Sequence, residues 1–252
     1  MKAAVFREVN QPLVVEEVNI SKPGPREVLV RTSAAGVCHS DLHFVKGLYP
    51  TQMPIVLGHE SAGIVEQVGS DVTYVKPGDH VITCLSVFCG HCEQCLTGHL
   101  SLCASPEVRR GKEDEPRLAK DGNEVFQFAN LSSFAEQMLI HEHGLVKIRE
   151  DMPLDRAALI GCGVTTGVGA VFHTAAVEPG STVAVIGCGG VGLSCVNGAA
   201  LAGAGRVIAV DMVDSKLEMA REFGATDTVN GNAGDVVEQV RELTGGGVQY
   251  SF

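Results

Sequence analysis

The sequence predicts two domains of different class: a β domain over residues 1–150, then a doubly wound parallel α/β sheet over residues 151–252. Two observations predict the second class. Thr182–Ile186 is an apolar, β-rich run typical of a buried parallel strand, and it leads directly into a G-x-G-x-x-G pattern. A third observation, short β-rich runs separated by turn residues, predicts the β class of the first half.

The first half contains little helical periodicity. Its β-rich runs cover residues 3–6, 13–15, 28–32, 62–65 and 80–82. Between them stand turn sequences such as Lys-Pro-Gly-Pro at 22–25 and Lys-Pro-Gly-Asp at 76–79. We interpret this half as an irregular β domain that is separate from the α/β half.

The G-x-G-x-x-G pattern predicts a nucleotide site. Gly187 makes the tight turn, Gly189 lets backbone N–H groups approach a pyrophosphate, and Gly192 lets the helix lie close to the strand. The following helix, which should continue to about residue 204, directs its N-terminus at the anion. The predicted contacts are Gly187, Gly189, Gly190, Val191, Gly192 and Asp211. The alternative is a glycine-rich strand–helix turn without a ligand.

Asp211 ends the next apolar run, residues 207–210, 24 positions after Gly187. An acid at this point accepts hydrogen bonds from both ribose hydroxyls and repels a 2′-phosphate. The cofactor predicted here is therefore NAD rather than NADP.

Further elements follow Asp211. The pattern predicts helices over 214–223 and 235–244 and strands over 228–230 and 248–252. A parallel sheet needs helices on both faces, and a complete doubly wound sheet has six strands. We therefore expect the chain to be a partial copy of a longer enzyme, with its α/β domain truncated after the fourth strand.

Four of the nine cysteines have the spacing of a metal site: Cys89, Cys92, Cys95 and Cys103. Four thiolates at a tight turn close the coordination shell of a tetrahedral zinc ion, so we predict a structural zinc. Two disulfides are the alternative, but disulfides formed among adjacent C-x-x-C pairs would have strained geometry. His91 and His99 lie in the same loop and are expected to be solvated. Cys84, Cys188 and Cys195 stand in apolar runs and are expected to be core thiols.

The net charge of -11 argues against nucleic acid or an anionic membrane surface as a partner. Residues 157–177 and 179–205 are uncharged, but glycine in the second span favours strand–turn–helix over a membrane helix. No signal peptide is recognisable, and we expect a cytoplasmic protein.

Residues 105–123 carry many charges and predict an exposed loop, with Arg109 and Arg110 solvated rather than bound to an anion.

A second set of metal-binding side chains is dispersed along the chain. Residues 38–43 combine a thiol, two imidazoles, a hydroxyl and a carboxylate, and Gly-His-Glu follows at 58–60. Cys38, His59 and Cys162 would form a Cys₂His zinc site with one open position for water or substrate. Taken singly, these residues have simpler explanations: a core thiol, a core imidazole and, for Glu60, a solvated acid.

With these motifs in order, the chain resembles the zinc-dependent alcohol dehydrogenases of the medium-chain dehydrogenase/reductase superfamily. Residues 58–69, Gly-His-Glu-Ser-Ala-Gly-Ile-Val-Glu-Gln-Val-Gly, fit the zinc motif of that family position by position. The four-cysteine loop, Gly-Cys-Gly-Val-Thr-Thr-Gly at 161–167 and the glycines at 187–192 follow in the family's order. The resemblance implies a GroES-like β domain with two zinc sites and a Rossmann domain that binds NAD.

The resemblance also implies residue roles. It assigns Cys38, His59 and Cys162 as catalytic zinc ligands, Glu60 as a transient ligand and Asp41 as the carboxylate that orients His59. Ser40 would take the substrate proton and pass it through the cofactor ribose toward His43. The remaining assignments are His39 at the pyrophosphate and Lys216 near the adenosine ribose beside Asp211.

The activity implied is NAD-dependent oxidation of a primary or secondary alcohol to an aldehyde or ketone. The substrate is then a small molecule, and the full-length protein would be a homodimer or homotetramer. Two alternatives remain open: an S-(hydroxymethyl)glutathione (formaldehyde) dehydrogenase, and an inactive truncated module that binds nucleotide and zinc. A zinc-free quinone reductase is disfavoured because Cys38, His59 and Cys162 would have no reason to occur together.

Overall fold

The computed structural model describes residues 1–111 and 113–252. The chain divides into two compact units, Met1–Cys162 and Gly163–Phe252. The first unit is built on strands and the second on alternating strands and helices. This order of a β unit followed by an α/β unit agrees with the prediction.

The described part of the first unit is built on the strands β1 Lys2–Phe6, β2 Val14–Glu17, β3 Asn19–Ile20, β4 Glu27–Gly36, β5 Ile55–Val56, β6 Glu60–Val68, β7 His80–Thr83, β8 Leu118–Lys120, β9 Asn123–Glu124, β10 Phe126–Gln127, β11 Gln137–His141 and β12 Leu145–Lys147. Short α-helices accompany these strands: α1 His39–Val45, α2 Glu93–Leu96 and α3 Leu154–Ala157. The strands pair into sheets with the orders β10-β5-β1-β2, β11-β4-β6-β7-β12 and β3-β8-β9.

The antiparallel pair β4–β6 positions the residues of the predicted catalytic zinc site. Gly36, the last residue of β4, pairs with Glu60, the first residue of β6. The segments just outside the pair, which carry Cys38 and His59, therefore lie side by side. A Cβ on Gly36 would lie 2.4 Å from Glu60 Oε2 and 3.1 Å from Glu60 Cβ, so any larger residue here would displace the Glu60 side chain.

The first unit continues beyond residue 150, the predicted domain border, and ends at Cys162. Ala157 and Ala158 are buried in one cluster with Ala62 of β6 and Ile82 of β7. A Cβ on Gly161 would lie 2.3 Å from the carbonyl oxygen of Thr83. This apolar packing attaches the segment before Cys162 to the sheet of the β unit.

The second unit is a parallel sheet with the order β15-β14-β13-β16. Its strands are β13 Thr182–Ile186, β14 Arg206–Asp211, β15 Asp227–Asn230 and β16 Tyr250–Ser251. Its α-helices are α4 Gly163–Gly169, α5 Gly190–Leu201, α6 Asp214–Glu222 and α7 Val236–Thr244.

Alternate residues of β14 are buried in different clusters, as the two-residue period of a strand requires. Val207 and Ala209 belong to the cluster that includes Val196 and Ala199 of α5. Ile208 and Val210 belong to a second cluster, against which side chains of α7 pack. Both faces of this strand are therefore covered by helices, which confirms the doubly wound architecture.

Most predicted boundaries of the second unit lie within one residue of the observed ones, and two elements differ by more. Helix α5 ends at Leu201 rather than near residue 204, because Gly203 adopts φ +78°, a conformation outside the helical range. The last strand, β16, covers only Tyr250–Ser251 of the predicted 248–252.

The charged stretch at 105–123 is only in part an exposed loop. Arg109 is exposed as expected, and Lys112 lies outside the described residues. Arg110 is not simply solvated, since its Nη2 lies 2.5 Å from Glu27 Oε2. Arg117 Nε lies 2.7 Å from Glu27 Oε1. The buried carboxylate at the start of β4 requires these cations, because an unpaired buried charge is costly.

The cysteines predicted to be core thiols divide in burial. Cys188 and Cys195 are buried, whereas Cys84 is half-buried.

Among the described residues, no single helix is long and apolar enough to cross a membrane, and one bent helix pair meets that criterion by length and composition only.

Candidate active site, structural metal site and nucleotide site

Four metal-binding side chains meet in the first unit: Cys38, His59, Glu60 and Cys162. One ligand atom from each lies within 4.8 Å of those of the others. Cys38 precedes α1 and serves as its N-cap, while His59 and Glu60 stand at the start of β6. Cys162 follows the turn that packs on β6 and β7. The structure thus brings together residues that are up to 124 positions apart in the sequence.

Asp41 connects the two segments of this cluster. Its buried carboxylate accepts hydrogen bonds from the backbone N–H of Cys38 at 3.2 Å and of Gly58 at 3.1 Å. The carboxylate also lies 3.3 Å from His59 Nδ1. With Nδ1–H directed at Asp41, Nε2 is the ring nitrogen that remains for a metal.

The electrostatics of the cluster are those of a site built for a cation. Burial, followed by the charges of Cys38 and Glu60, raises the pKa of the Cys162 thiol to about 12. Burial also acts against the Cys38 thiolate, but hydrogen bonds from Ser40 and the charge of His59 lower the pKa of Cys38 overall. Two thiols, an imidazole and a carboxylate at this spacing fit zinc, which stabilises the thiolate form of both cysteines.

The predicted proton-transfer residues lie on α1. Ser40 Oγ is 3.5 Å from Cys38 Sγ. The His43 ring is half-buried and makes edge contacts with His39 at 4.9 Å and with Tyr49 at 5.4 Å between ring centroids. His39 itself is exposed.

The aromatic side chains beside this cluster were not predicted from the sequence. Phe128 makes edge contacts with His59 at 5.7 Å and with Phe44 at 4.9 Å. Phe128 is 69 residues from His59 in the sequence, so no local spacing relates the two. The only sequence feature that could have pointed to Phe128 is its aromatic side chain in a turn-rich stretch.

The four cysteines of the loop form a compact sulfur cluster. Their Sγ atoms lie within 4.8 Å of one another, with Cys92 and Cys95 at 3.4 Å. All nine cysteines are free thiols, so the alternative of two disulfides is wrong. Backbone N–H groups stabilise negative sulfur here: that of Cys92 donates to Cys89 Sγ at 3.3 Å, and that of Cys89 to Cys103 Sγ at 3.3 Å.

The thiols of this loop differ in acidity. Backbone hydrogen bonding, first from His91, lowers the pKa of Cys89 to about 6, whereas burial raises that of Cys95 to about 11. A tetrahedral cation stabilises all four as thiolates, and four sulfurs at these distances fit zinc.

His91 and His99 are exposed, as expected. His91 is also partnered, since its Nε2 lies 3.3 Å from Glu107 Oε2.

The glycine turn of the second unit has the predicted geometry. Gly187 adopts φ +95°, and a Cβ on Gly192 would lie 1.8 Å from the carbonyl oxygen of Gly187. A Cβ on Gly189 or Gly190 would meet no protein atom within 4 Å, so open space lies at the start of α5. Val191, in the first turn of α5, is exposed. An N-terminus with open space beside it fits a pyrophosphate.

Asp211 is fixed at the end of β14. Its carboxylate accepts from the backbone N–H of Cys188 at 2.8 Å and of Val213 at 3.0 Å. These hydrogen bonds, that of Cys188 first, hold the pKa of Asp211 below its ordinary value. Lys216 Nζ lies 3.8 Å from Asp211 Oδ2.

Comparison with known proteins agrees with this architecture. Residues 24–150 match the family model of the alcohol dehydrogenase GroES-like domain, and residues 190–252 match that of the zinc-binding dehydrogenases. The chain is 43% identical to an alcohol dehydrogenase class-3 of Zea mays and 42% identical to an S-(hydroxymethyl)glutathione dehydrogenase of Synechocystis. These matches cover the whole chain and 68% and 70% of the two relatives.

Solved structures give the same result. An alcohol dehydrogenase zinc-binding domain protein from Burkholderia ambifaria superposes with a TM-score of 0.91 at 41% identity, over 99% of this chain and 69% of that one. Benzyl alcohol dehydrogenase from Acinetobacter calcoaceticus superposes with a TM-score of 0.90 at 37% identity, with the same coverage. The protein therefore belongs to the zinc-dependent alcohol dehydrogenase family of the medium-chain dehydrogenase/reductase superfamily. It is an oxidoreductase of that family, as the motif order predicted.

Proposed function

We propose that the protein oxidises a primary or secondary alcohol to an aldehyde or ketone with NAD as hydride acceptor. It would hold two zinc ions, a catalytic one at Cys38, His59 and Cys162 and a structural one at the four-cysteine loop. The observation that carries the proposal is the convergence of two thiols, one imidazole and Glu60. With Cys38, His59 and Cys162 as the permanent ligands and Glu60 as a transient one, a zinc ion would keep its fourth position for water or substrate.

The residues of the first unit have separate tasks in this reaction. When bound, zinc supplies a Lewis acid that acidifies the alcohol, and NAD accepts the hydride. Ser40, whose hydroxyl is 3.5 Å from Cys38 Sγ, accepts the proton of the alcohol. His43, half-buried on the same helix, transfers that proton to solvent. Asp41 holds the His59 ring in its metal-binding orientation.

The second unit supplies the cofactor contacts in the proposal. Gly187, Gly189, Gly190, Val191 and Gly192 form the cradle of the pyrophosphate, and the family resemblance also assigns His39 to that group. Asp211 accepts from the adenosine ribose beside Lys216. Its charge disfavours a 2′-phosphate, so we expect Asp211→Ser to reduce the preference for NAD over NADP. Equilibrium binding of both nucleotides measures this preference, and an unchanged ratio would contradict it.

A second candidate substrate is S-(hydroxymethyl)glutathione. It is supported by the Synechocystis relative, an S-(hydroxymethyl)glutathione dehydrogenase that is 42% identical to this chain. Turnover of this adduct and of simple primary alcohols should be measured on the same preparation. A higher kcat/KM for the adduct would favour this candidate over the general alcohol.

Zinc per chain tests the metal assignment directly. We expect two zincs in the wild type and one in Cys38→Ala. Cys84→Ala is the matched control, because Cys84 is a half-buried free thiol outside both clusters. One zinc in both the wild type and Cys38→Ala would overturn the catalytic site. With no turnover of any alcohol, the chain would be the inactive nucleotide- and zinc-binding module instead.

We also propose a homodimer or homotetramer for the full-length protein, which sedimentation would test against a monomer.

Nine free thiols, four of them in one cluster, support a reducing cytoplasmic location. Detection of the protein in an oxidising compartment would contradict this location.

A further inference from the structure

Three donor atoms of different kinds meet beside the four-cysteine cluster. Cys89, His91 and Glu107 each offer one ligand atom, and these atoms lie within 4.8 Å of one another. His91 Nε2 and Glu107 Oε2 are 3.3 Å apart. A sulfur, a nitrogen and an oxygen at this spacing form a set that zinc accepts, with one position left for water. We call this set the outer group.

The outer group differs from the four-cysteine cluster in its access to solvent. The His91 side chain is 65% exposed and that of Glu107 is 43% exposed. By contrast, Cys89 and Cys95 are buried, and Cys92 and Cys103 are half-buried. A hydrated zinc ion therefore reaches the exposed His91 and Glu107 before it reaches the buried sulfurs of Cys89 and Cys95.

Cys89 belongs to both sets. An ion held by the outer group is thus already bound to one of the four sulfurs of the inner cluster. Exchange of the imidazole and the carboxylate for the three remaining sulfurs would complete the inner site without a return of the ion to bulk water.

We propose that Cys89, His91 and Glu107 form a transfer site through which zinc enters and leaves the four-thiolate site. The ion binds first to these three donors and keeps water in its remaining position. Its bonds to His91 and Glu107 then break as bonds to the sulfurs of Cys92, Cys95 and Cys103 form. Any proton on Cys89 passes to solvent in the first step, and those of the other three thiols pass to solvent in the second. This inference rests on the proposed structural zinc.

A transfer site changes the rates at which zinc enters and leaves the four-thiolate site, but it does not change the affinity of that site for zinc. Entry and exit share the same intermediate, so its loss slows both by the same factor. A merely structural role of His91 and Glu107 has a different signature. Removing residues that support metal ligands costs about 10–100-fold in affinity. Zinc release would then become faster.

The test compares His91→Ala/Glu107→Gln with the parent, both in a Cys38→Ala background so that only zinc of the loop is followed. The zinc-loaded proteins are mixed with excess of the chromogenic chelator 4-(2-pyridylazo)resorcinol, and release is followed by absorbance. Zinc affinity is measured separately by competition. His99→Ala/Glu93→Gln is the matched control, since both residues are exposed in the same loop outside the outer group.

We expect the outer-group variant to release zinc about tenfold more slowly at unchanged affinity, a barrier change of about 1.4 kcal/mol. The control should release zinc at the parent rate. Release that is unchanged or faster would overturn the transfer site.

Failure of the underlying metal assignment has a separate signature. If the Cys38→Ala parent contained no zinc, the proposed four-thiolate site would be wrong, and the transfer site with it. If the parent contained one zinc and released it at the same rate as the outer-group variant, only the transfer site would be wrong.

Discussion

Asp41 and His59 are joined by a buried contact of 3.3 Å between Oδ1 and Nδ1, although they are 18 positions apart in the sequence. The same carboxylate accepts from the backbone of Cys38 and Gly58. A single acidic side chain therefore fixes the tautomer of the imidazole and the distance between the two segments that carry the proposed zinc ligands.

We expect Asp41→Asn to weaken zinc binding at Cys38, His59 and Cys162 by about 10–100-fold, because a neutral amide orients the imidazole less strongly. Competitive chelation measures the affinity, and the loop zinc should stay bound. Asp71→Asn, at an exposed position, is the control. Equal affinities for Asp41→Asn and Asp71→Asn would contradict the positioning role.

The two glycines of the nucleotide turn should respond differently to alanine. At Gly189 a Cβ meets no protein atom, so Gly189→Ala should fold normally and weaken NAD binding by filling the open space. At Gly192 a Cβ would lie 1.8 Å from the Gly187 carbonyl oxygen. Gly192→Ala should therefore cost about 1–3 kcal/mol of stability. Urea unfolding and nucleotide titration separate the effects, and a destabilised Gly189→Ala would refute this distinction.

Glu27 is the anionic centre of a buried ion-pair network. Its carboxylate contacts Arg110 and Arg117, and despite burial these partners lower its pKa. Glu27→Gln leaves two guanidinium groups without their counter-ion and should cost about 3–5 kcal/mol in the free energy of unfolding. The exposed Glu124→Gln is the control, which should stay within about 0.5 kcal/mol of the wild type.

The pH dependence of this network has a definite sign. The pKa of Glu27 is lower in the folded chain than its ordinary value of 4.5. Its contribution to stability is therefore complete above that value and is lost as the pH falls through the folded-state pKa. A stability difference between wild type and Glu27→Gln that did not shrink on acidification would contradict the network.

His141 should also make the stability of the folded chain sensitive to acid. Burial, followed by the positive charges of His143 and Arg26, lowers its pKa from 6.5 to about 4. The unfolded chain therefore binds this proton first, and stability should fall as the pH drops from 6.5 toward 4, by about 3 kcal/mol at most.

His141→Gln tests this dependence, since it removes the titrating ring and keeps a polar side chain. The stability of His141→Gln should fall less steeply between pH 6.5 and 4 than that of the wild type. The exposed His99→Gln should follow the wild type. Parallel curves for His141→Gln and the wild type would exclude His141 as the cause.

The sequence alone determined the features whose chemistry is local. Four cysteines within fifteen residues predicted the sulfur cluster, since neighbouring C-x-x-C turns leave their side chains close together wherever the loop lies. The strand, glycine turn, helix and acid at 182–211 predicted the nucleotide turn for the same reason. The order of these motifs was enough to indicate the family.

Tertiary structure decided what depends on residues far apart in the chain. Pairing of Gly36 with Glu60, and the packing of residues before Cys162 on β6 and β7, bring the three dispersed ligands together. The contact of Glu107 with His91 and the burial of Glu27 between two arginines likewise have no counterpart in local spacing. Such contacts depend on how strands pair and pack, which residue periodicity does not encode.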